Sequence, residues 1–498
     1  MEYPTAHART APGRAAVIDE RTGTTLTYGA LEERSRAVAH RLWDAGLRPG
    51  DQVALAVANA PEFYEFCWAA HRIGLYYTAV NTHLTPGEAR HVLTDCGAEV
   101  LLTDGTLPEL DLPDIRLRLA LGEPRAGHEP YEDVASGSTG PLPHEGEGEK
   151  MLYTSGTTGV PKGVARPLTD GPPGSVFLIR PLMLRMGFGP ESVLVNPAPL
   201  YHSAPLGYGM GVHRLGGTVV IDGRFDAARC LSAMERHAAT HGLFVPTMFS
   251  RMLALPDHER YDVSHLVTAA HGAAPCPVPV KRRMIDWWGP RIVEYYAGTE
   301  GAGMTMIDSD EWLAHQGSVG RPVSGAVHIV DPETGDELGP GETGTVSFTG
   351  GAQFRYHGDD AKTAAAYDDA GRNTLGDIGH VDHDGYLYLT DRASFTVISG
   401  GVNIYPREAE NVLLEHPLVD DVAAFGVPDD DLGEALVAVV VLADPAADGE
   451  ETVRSLAGWC TDRLARQKCP RRITFTERLP RTETGKLAKR TLREHYTR

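Results

Sequence analysis

The 498-residue sequence has no long hydrophobic run, no closely spaced cysteines and no excess of positive charge. A membrane span needs roughly 18 consecutive apolar residues, so we expect no stable membrane insertion. The six cysteines are scattered without a Cys-x-x-Cys pair, which argues against a zinc site or a disulfide framework and favours reduced, mostly buried thiols. The formal net charge of -21 argues against nucleic acid as a partner, because the phosphate backbone is also negative.

Several common functional motifs are also missing. Neither Gly-x-Ser-x-Gly nor His-Glu-x-x-His occurs, which excludes the commonest hydrolase and zinc-protease interpretations. The segment 339–344 matches Gly-x-Gly-x-x-Gly, but a strand pattern rather than a helix follows it, so we discard it as a dinucleotide site. The amino terminus shows no basic-then-apolar secretory pattern, and we therefore expect a cytoplasmic location.

The length exceeds what one hydrophobic core usually supports, so we expect at least two domains. Helix and strand patterns alternate through the first half of the chain, which predicts parallel α/β layers. One helix signal is the capping box at 85–88, with proline in the first turn. Short strands beyond about residue 318 predict a β-rich subdomain, and a smaller α+β unit begins near residue 393. The predicted fold class is α/β.

The sequence does contain a stretch suited to holding phosphate, Tyr-Thr-Ser-Gly-Thr-Thr-Gly-Val-Pro-Lys-Gly-Val at 153–164. Its glycines let backbone amides approach a phosphate, its hydroxyls donate hydrogen bonds, and Lys162 adds a mobile positive charge. The spacing is not that of the P-loop, and the alternative is a polar turn between two strands. The other candidate phosphate-binding residues are Thr154, Ser155, Gly156, Thr157, Thr158 and Gly159.

This stretch resembles the phosphate-binding signature of the adenylate-forming superfamily, which includes acyl-CoA synthetases, luciferases and nonribosomal-peptide adenylation domains. The resemblance covers nearly the whole chain, as five motifs in the family's order. It implies ATP, Mg²⁺ and coenzyme A as cofactors, and a small carboxy-terminal domain that swings after adenylation. The predicted boundaries are 1–391 for the nucleotide- and acyl-binding domain, 392–394 for the hinge and 395–498 for the mobile domain.

The second motif is Glu-Tyr-Tyr-Ala-Gly-Thr-Glu-Gly at 294–301. It offers an aromatic face and a carboxylate, and Mg²⁺ prefers oxygen ligands. The resemblance places Tyr296 against adenine, Thr299 on the phosphate and Glu300 on the metal. The alternative is a buried tyrosine beside a solvated glutamate. The neighbouring candidate binding residues are Tyr295, Ala297 and Gly298, together with Gly272, Ala273 and Ala274 at the implied junction of the acyl and adenine sites.

The third and fourth motifs lie near the predicted hinge. Asp377 ends Thr-Leu-Gly-Asp at 374–377, and its carboxylate can accept from both hydroxyls of a ribose, although such a turn taken alone is usually structural. Arg392 resembles the family residue that reaches the nucleotide. Ser394 occupies the hinge position, where the family usually has Asp or Lys. The resemblance implies that three residues border the pantetheine path: Ser399, Gly400 and Gly401. The alternative is that they form only a strand end and a glycine turn.

Two further residues complete the predicted site. Lys486, in the turn 480–486, matches the family lysine that bridges the acyl carboxylate and the α-phosphate, where a cation neutralises charge in the transition state. Taken alone, Lys486 would be a solvated lysine near the chain end. His202 matches the family's gate between the acyl pocket and the coenzyme A tunnel, or is a hydrogen-bonded core histidine. The sequence leaves both interpretations of His202 open.

These motifs predict a carboxylic acid:CoA ligase that forms an acyl-adenylate and pyrophosphate from ATP, and then acyl-CoA and AMP. Lys162, Glu300 and Lys486 would act by positioning and charge neutralisation. The alternatives are an enzyme that performs one half-reaction, given the unusual hinge segment 393–395, an adenylation enzyme that loads a separate carrier protein, and a luciferase-like oxygenase. The sequence leaves the oligomeric state open, a homodimer included.

The size of the acid is predicted from the stretches that should line its pocket. Residues 206–212 carry alternating glycines, 244–249 are almost entirely apolar, and 271–274 include small side chains. This lining predicts a pocket with room for a large acid and without an evident partner for a charged substituent. Each CH₂ of a substrate that is buried there contributes ~0.8 kcal/mol to binding. We therefore expect a bulky apolar acid and a raised KM for large acids in Gly209→Trp. The alternative is that these glycines serve close helix packing.

Overall fold

The computed structural model describes residues 2–112, 114–154, 161–399, 402–429, 432–481 and 487–496. Helices are distributed along the whole of this described chain. They are α1 (Pro4–Thr10), α2 (Tyr28–Asp44), α3 (Pro61–Arg72), α4 (Pro86–Asp95), α5 (Tyr131–Ala135), α6 (Arg180–Arg185), α7 (Ser203–Leu215), α8 (Ala227–Arg236), α9 (Pro246–Leu253), α10 (Val278–Trp288), α11 (Ser309–Ala314), α12 (Asp360–Ala365), α13 (Pro406–Leu414), α14 (Glu450–Thr461) and α15 (Lys489–Tyr496).

Strands alternate with these helices in the first half of the chain and dominate between about 292 and 404. They are β1 (Ala15–Asp19), β2 (Thr25–Thr27), β3 (Gln52–Ala56), β4 (Tyr76–Ala79), β5 (Val100–Thr103), β6 (Leu117–Ala120), β7 (Glu129–Pro130), β8 (Glu149–Lys150), β9 (Leu152–Thr154), β10 (Lys162–Ala165), β11 (Val193–Asn196), β12 (Thr218–Ile221), β13 (His241–Phe244), β14 (Thr268–His271), β15 (Ile292–Ala297), β16 (Met304–Ile307), β17 (Ser318–Ser324), β18 (Ala326–Val330), β19 (Gly344–Thr349), β20 (Arg355–Tyr356), β21 (Asn373–Val381), β22 (Leu387–Arg392), β23 (Val397–Ser399), β24 (Val402–Ile404), β25 (Val419–Asp429), β26 (Gly433–Leu442) and β27 (Arg472–Phe475).

Two large sheets form the amino-terminal part. One is wholly parallel, in the order β7-β6-β5-β3-β4-β8. The other has the order β18-β19-β21-β22-β17-β16-β15-β14-β13-β11-β12-β1-β2, parallel from β15 to β1 and antiparallel outside that range. This arrangement confirms the predicted α/β layers and the β-rich region beyond about residue 318.

A separate mixed sheet lies in the carboxy-terminal part, in the order β24-β23-β26-β25 with β27 parallel to β26. Its hydrophobic core includes Leu413 of α13, Leu456 of α14 and Val440 of β26. The α+β character of this part is therefore confirmed. The exact boundaries of the domains and of the hinge stay predictions.

Local sequence signals explain several element boundaries. The Thr27 side chain accepts from the Ala30 amide at 3.2 Å and so caps α2. The predicted capping box is present, since Thr85 and Glu88 each bond to the other's backbone at the start of α4. Helix α8 ends at Arg236. The backbone of Ala238 takes a left-handed conformation with φ of 48°, which a continuing helix does not allow.

Helices α3 and α7 contribute to a core that joins the two large sheets. One continuous cluster of buried side chains contains Leu55 of the parallel sheet, Phe66 of α3, Leu206 of α7 and Val219 of the longer sheet. Among the helices of the described chain, none combines the length and apolar character that crossing a bilayer requires.

The glycines of α7 mostly allow close packing. A Cβ added at Gly209 would collide with the Tyr64 hydroxyl, and one at Gly211 would collide with the Met183 sulfur. Gly209 is itself buried. The expectation that Gly209 borders an open acyl pocket is therefore wrong, because the alternation of glycines does not reveal which face of the helix meets the core.

We expect Gly209→Ala to lower the melting temperature, because overpacking of a filled core costs about 1–3 kcal/mol. Gly458→Ala is the matched control. Gly458 lies inside α14, is exposed, and has open space around an added Cβ, so alanine should stabilise the helix by about 0.5–1 kcal/mol. Thermal unfolding of both variants distinguishes the two positions. An unchanged melting temperature in Gly209→Ala would contradict the packing role.

Candidate active site

The described ends of the predicted phosphate-binding stretch form the antiparallel strand pair β9 and β10. Lys162 lies opposite Thr154 across the antiparallel pair, and its Nζ is 3.0 Å from Oδ2 of Asp359. Asp359 caps α12, and its pKa is lowered first by the Lys362 backbone amide and then by Lys162. The remaining predicted phosphate residues, Ser155, Gly156, Thr157, Thr158 and Gly159, lie outside the described residues.

Asp377 is held between two other predicted nucleotide residues. Its Oδ2 accepts from the Tyr296 hydroxyl at 2.6 Å, and its Oδ1 accepts from Arg392 Nε at 3.1 Å. Asp377 is only 6% exposed, so the two bonds hold the carboxylate in a defined orientation. Burial and the neighbouring carboxylate raise the pKa of Tyr296 well above its usual range, which keeps its hydroxyl a donor. The structure thus brings together three residues that are distant in sequence.

Glu300 is connected to β10, the strand that begins at Lys162, through a residue that the sequence motifs did not identify. Tyr356 donates to Glu300 Oε1 at 3.2 Å, and Tyr356 lies in β20, paired with Val164 of β10. Burial first, and then Glu300, raise the pKa of Tyr356. No sequence signal marked Tyr356, because an isolated tyrosine in a short strand is common.

Gly298 explains how the second and third motifs fit against each other. A Cβ at this position would lie 2.6 Å from the Leu375 side chain and 2.8 Å from Glu300 Oε2. Glycine therefore lets the 374–377 segment pack against the turn that carries Thr299 and Glu300. Thr299 is half-buried in this turn.

The segment at the end of β14 is tightly constrained. A Cβ at Gly272 would lie 2.7 Å from the carbonyl oxygen of Tyr295, and Ala273 has a left-handed φ of 66°. Such a conformation costs an alanine on the order of 1–2 kcal/mol and is often found at functional sites. Ala274 follows directly. The predicted junction residues are thus packed against Tyr295 and, at Ala273, strained.

A buried ionic cluster lies beneath this segment and was missed by the sequence reasoning. Lys281 Nζ is 2.7 Å from Glu294 Oε2, and His271 Nε2 is 3.7 Å from the same oxygen. Burial first, and then the Lys281 charge, hold the pKa of His271 well below its usual range. Because His271 is neutral, the positive charge of Lys281 and the negative charge of Glu294 balance each other beside the strained turn.

Three other predicted residues lie at the ends of helices or strands. His202 is the residue that precedes α7, and its ring centroid lies 4.5 Å from that of Tyr201. Ser399 ends β23, paired with Val402 and Gly433. Ala297 ends β15 opposite Met304. Gly400, Gly401 and Lys486 lie outside the described part of the chain.

The stretch predicted to line the acyl pocket has both aromatic and charged neighbours. The Tyr208 ring centroid lies 5.7 Å from that of Tyr295 and 6.1 Å from that of Phe188. Lys150 Nζ lies beside the backbone of Gly207, where an added Cβ would be only 2.8 Å away. The expectation of a lining without a charge partner is therefore wrong, because Lys150 comes from a strand more than fifty residues earlier in the chain.

Comparisons with known proteins show which family the chain resembles. The family model "AMP-binding enzyme" matches residues 5–356, and "AMP-binding enzyme C-terminal domain" matches 408–486. The chain is 35% identical to a feruloyl-CoA synthase of Amycolatopsis sp, over 99% of this chain and 98% of that protein. It is 31% identical to a 2-succinylbenzoate–CoA ligase of Bacillus licheniformis, over 99% and 100%. The ATP-bound structure of MatB from Rhodopseudomonas palustris superimposes with a TM-score of 0.87 at 28% identity, covering 99% of both chains.

The family models together account for most of the chain, and relatives above 30% identity span nearly all of it. The chain therefore belongs to the AMP-binding enzyme family and is of the acyl-CoA synthetase type, an AMP-forming acid–thiol ligase.

Proposed function

We propose that this protein converts an aromatic or otherwise bulky carboxylic acid to its coenzyme A thioester through an acyl-adenylate. The acid's carboxylate attacks the α-phosphate of ATP and pyrophosphate leaves, and the thiol of coenzyme A then displaces AMP. The observation that carries this proposal is the Asp377 carboxylate held by Tyr296 and Arg392. The aromatic acids named for the two relatives above support the class of acid.

Asp377 is suited to binding a ribose. Each carboxylate oxygen has two acceptor positions, and one bond to each oxygen from the described part of the chain leaves capacity for a hydroxyl donor. Arg392 and Tyr296 fix the carboxylate before the nucleotide arrives, so little ordering remains to be done on binding. We assign Tyr296 to the adenine and Arg392 to positioning Asp377 and the nucleotide.

Glu300 fits the role of a Mg²⁺ ligand. Its Oε1 accepts from Tyr356, which orients the carboxylate, and carboxylate oxygens are preferred ligands of Mg²⁺ shared with phosphate. When bound, Mg²⁺ supplies positive charge to the phosphates of ATP. Thr299, at the same turn, is assigned to the phosphate.

The remaining assignments rest on the family resemblance. Lys162 would leave its ion pair with Asp359 and bind a phosphate oxygen of ATP instead. Lys486 would bridge the acid and the α-phosphate. His202 would gate the path of coenzyme A, and Gly400 and Gly401 would border it. The hinge at 392–394 would connect the two half-reactions. The unusual residues 393–395 keep an enzyme with one half-reaction, or one that loads a carrier protein, as the alternative.

The aromatic surroundings of Tyr208 support the proposed class of acid. Tyr208, Tyr295 and Phe188 are all buried, and the Tyr208 ring centroid lies 5.7 Å from that of Tyr295 and 6.1 Å from that of Phe188. Aromatic pairs at these separations contribute about 0.5–1.5 kcal/mol beyond their buried area.

A cytoplasmic location is proposed because all six cysteines are free thiols and four of them are buried, as a reducing compartment favours.

We expect Asp377→Asn to raise the KM for ATP about 10–100-fold, because hydrogen bonds to a charged group contribute about 1.5–3 kcal/mol. Acid-dependent pyrophosphate release at varied ATP concentration measures this change. Asp384→Asn is the control, since Asp384 is exposed in the same β21–β22 hairpin. Equal KM values for ATP in Asp377→Asn and the unchanged enzyme would rule out the ribose assignment.

Glu300→Gln should shift the Mg²⁺ concentration for half-maximal pyrophosphate release upward at least tenfold, because an amide oxygen is a weaker ligand than a carboxylate. Tyr356→Phe should shift it less, since it removes only the bond that orients Glu300. Glu333→Gln, at an exposed turn, serves as the control. A Mg²⁺ titration in which Glu300→Gln and Glu333→Gln coincide would contradict the metal assignment.

A further inference from the structure

We propose that Lys150 and Arg166 form a subsite for a second acidic group on the acid substrate, and that the preferred acids therefore carry an acidic substituent besides the carboxylate that is activated. This inference rests on the proposed function and specifies its substrate class. It follows from the position of Lys150, from the absence of a described counter-ion and from the orientation of Arg166.

Lys150 faces the start of α7. It pairs in register with Tyr77 of β4, whose hydroxyl lies 3.3 Å from the Met210 sulfur of α7, so both side chains project from the same face of the sheet. The Lys150 ammonium donates to the carbonyl oxygen of Ser203 at 3.2 Å. Gly207, one turn further along α7, leaves the room that the ammonium occupies.

This end of α7 has an accessible face. His202, Ser203, Ala204 and Gly207 are all partly exposed, whereas the helix is buried from residue 208 to its end. Lys150 and Arg166 are partly exposed as well. The Lys150 ammonium is therefore bonded to a partly exposed helix start that follows the predicted gate residue His202.

The charge around Lys150 is only partly compensated, because the attraction of Glu149 is opposed by the repulsion of Arg166. The ion pairs among the residues that the structure describes do not include Lys150, and the Nε of Arg166 is buried without a hydrogen-bond partner. The amino-terminal end of α7 adds a positive partial charge and has no side-chain cap. Burial first, and then Arg166, lower the pKa of Lys150 to about 8. An anion at this place would offset an unfavourable accumulation of positive charge.

Arg166 extends the subsite toward the nucleotide motifs. A Cβ added at Gly301 would lie 2.8 Å from a terminal nitrogen of Arg166, so the guanidinium lies against the backbone directly after Glu300. The Lys150 ammonium thus lies at the start of α7 and the Arg166 guanidinium at the turn of the metal residue, and the two charges are close enough to influence each other. The activated carboxylate must reach ATP, so the group that meets Lys150 belongs to another part of the acid.

The test compares acids of matched shape with and without a second carboxylate: cinnamate with 4-carboxycinnamate, phenylacetate with 2-carboxyphenylacetate, and hexanoate with adipate. Pyrophosphate release measures only the first half-reaction, so titration of the coenzyme A thiol does not enter. At pH 7 we expect kcat/KM to favour the diacid at least tenfold in one or more pairs. Lys150→Met should lower that ratio at least tenfold while changing the monoacid less than threefold.

Lys150→Arg should retain the preference, and Arg166→Gln should weaken it, which keeps the test decisive if Lys150→Met folds poorly. Lys468→Met, in the carboxy-terminal part, is the control for loss of a lysine. If Lys150→Met instead slows thioester formation from supplied acyl-adenylates of monoacids and diacids equally, the cation serves the thiol and the proposal is overturned.

The pH dependence of the diacid preference distinguishes a binding role of Lys150 from a purely structural one. Lys150 carries its charge below about pH 8, so the diacid preference should be present at pH 7 and decline as pH rises through 8. The other groups that influence it are Arg166, which directly follows β10, Glu149 on its own strand and Cys67 from α3. Burial raises the pKa of Cys67 well above its usual range, so this thiol does not gain a charge over the interval.

In Lys150→Arg the diacid preference should persist to pH 9, because the guanidinium stays protonated. Pyrophosphate release with no acid at all would contradict the proposed function itself. Activity with equal kcat/KM for both members of every pair, or a ratio that Lys150→Met leaves unchanged, would contradict the subsite alone.

Discussion

The orientation of the Asp377 carboxylate is the constraint on which the rest of the site depends. A buried anion is stable only when it is paired and hydrogen-bonded, and here Tyr296 and Arg392 supply both bonds. These three residues lie on different strands of one sheet, and Arg392 is also the last residue of β22 before the carboxy-terminal part begins. The predicted ribose ligand is therefore connected directly to the predicted hinge.

Contacts extend from the Asp377 carboxylate to β10 of the predicted phosphate-binding stretch. Leu375, two residues before Asp377, packs against Gly298, and the neighbouring Glu300 bonds to Tyr356 of β20. Strand β20 in turn pairs with β10, which begins at Lys162. Motifs that are separated by more than 200 residues thus form one continuous set of contacts, and a change at one of them is expected to affect the others.

The sequence predicted the motifs and their order, because glycines, hydroxyls and charges at fixed spacings are local features. It also predicted the α/β layers and the start of α4, since periodicity and capping act within a few residues. It did not predict the partners that tertiary structure brings in, such as Tyr356, Asp359 and the Lys281–Glu294 pair. Gly209 and Lys150 show the same limit, because residue spacing does not determine which helix face is buried or which distant strand supplies a charge.

The central claim is that the acid is activated by attack of its own oxygen on the α-phosphate. An aromatic acid labelled with ¹⁸O in its carboxylate tests this claim directly, in a reaction with ATP and coenzyme A analysed by mass spectrometry. When the thiol attacks the acyl carbon, the C–O bond breaks and the bridging oxygen leaves with AMP. We predict AMP that contains one ¹⁸O per turnover and unlabelled pyrophosphate. Unlabelled AMP, or label in ADP or inorganic phosphate, would contradict the acyl-adenylate mechanism.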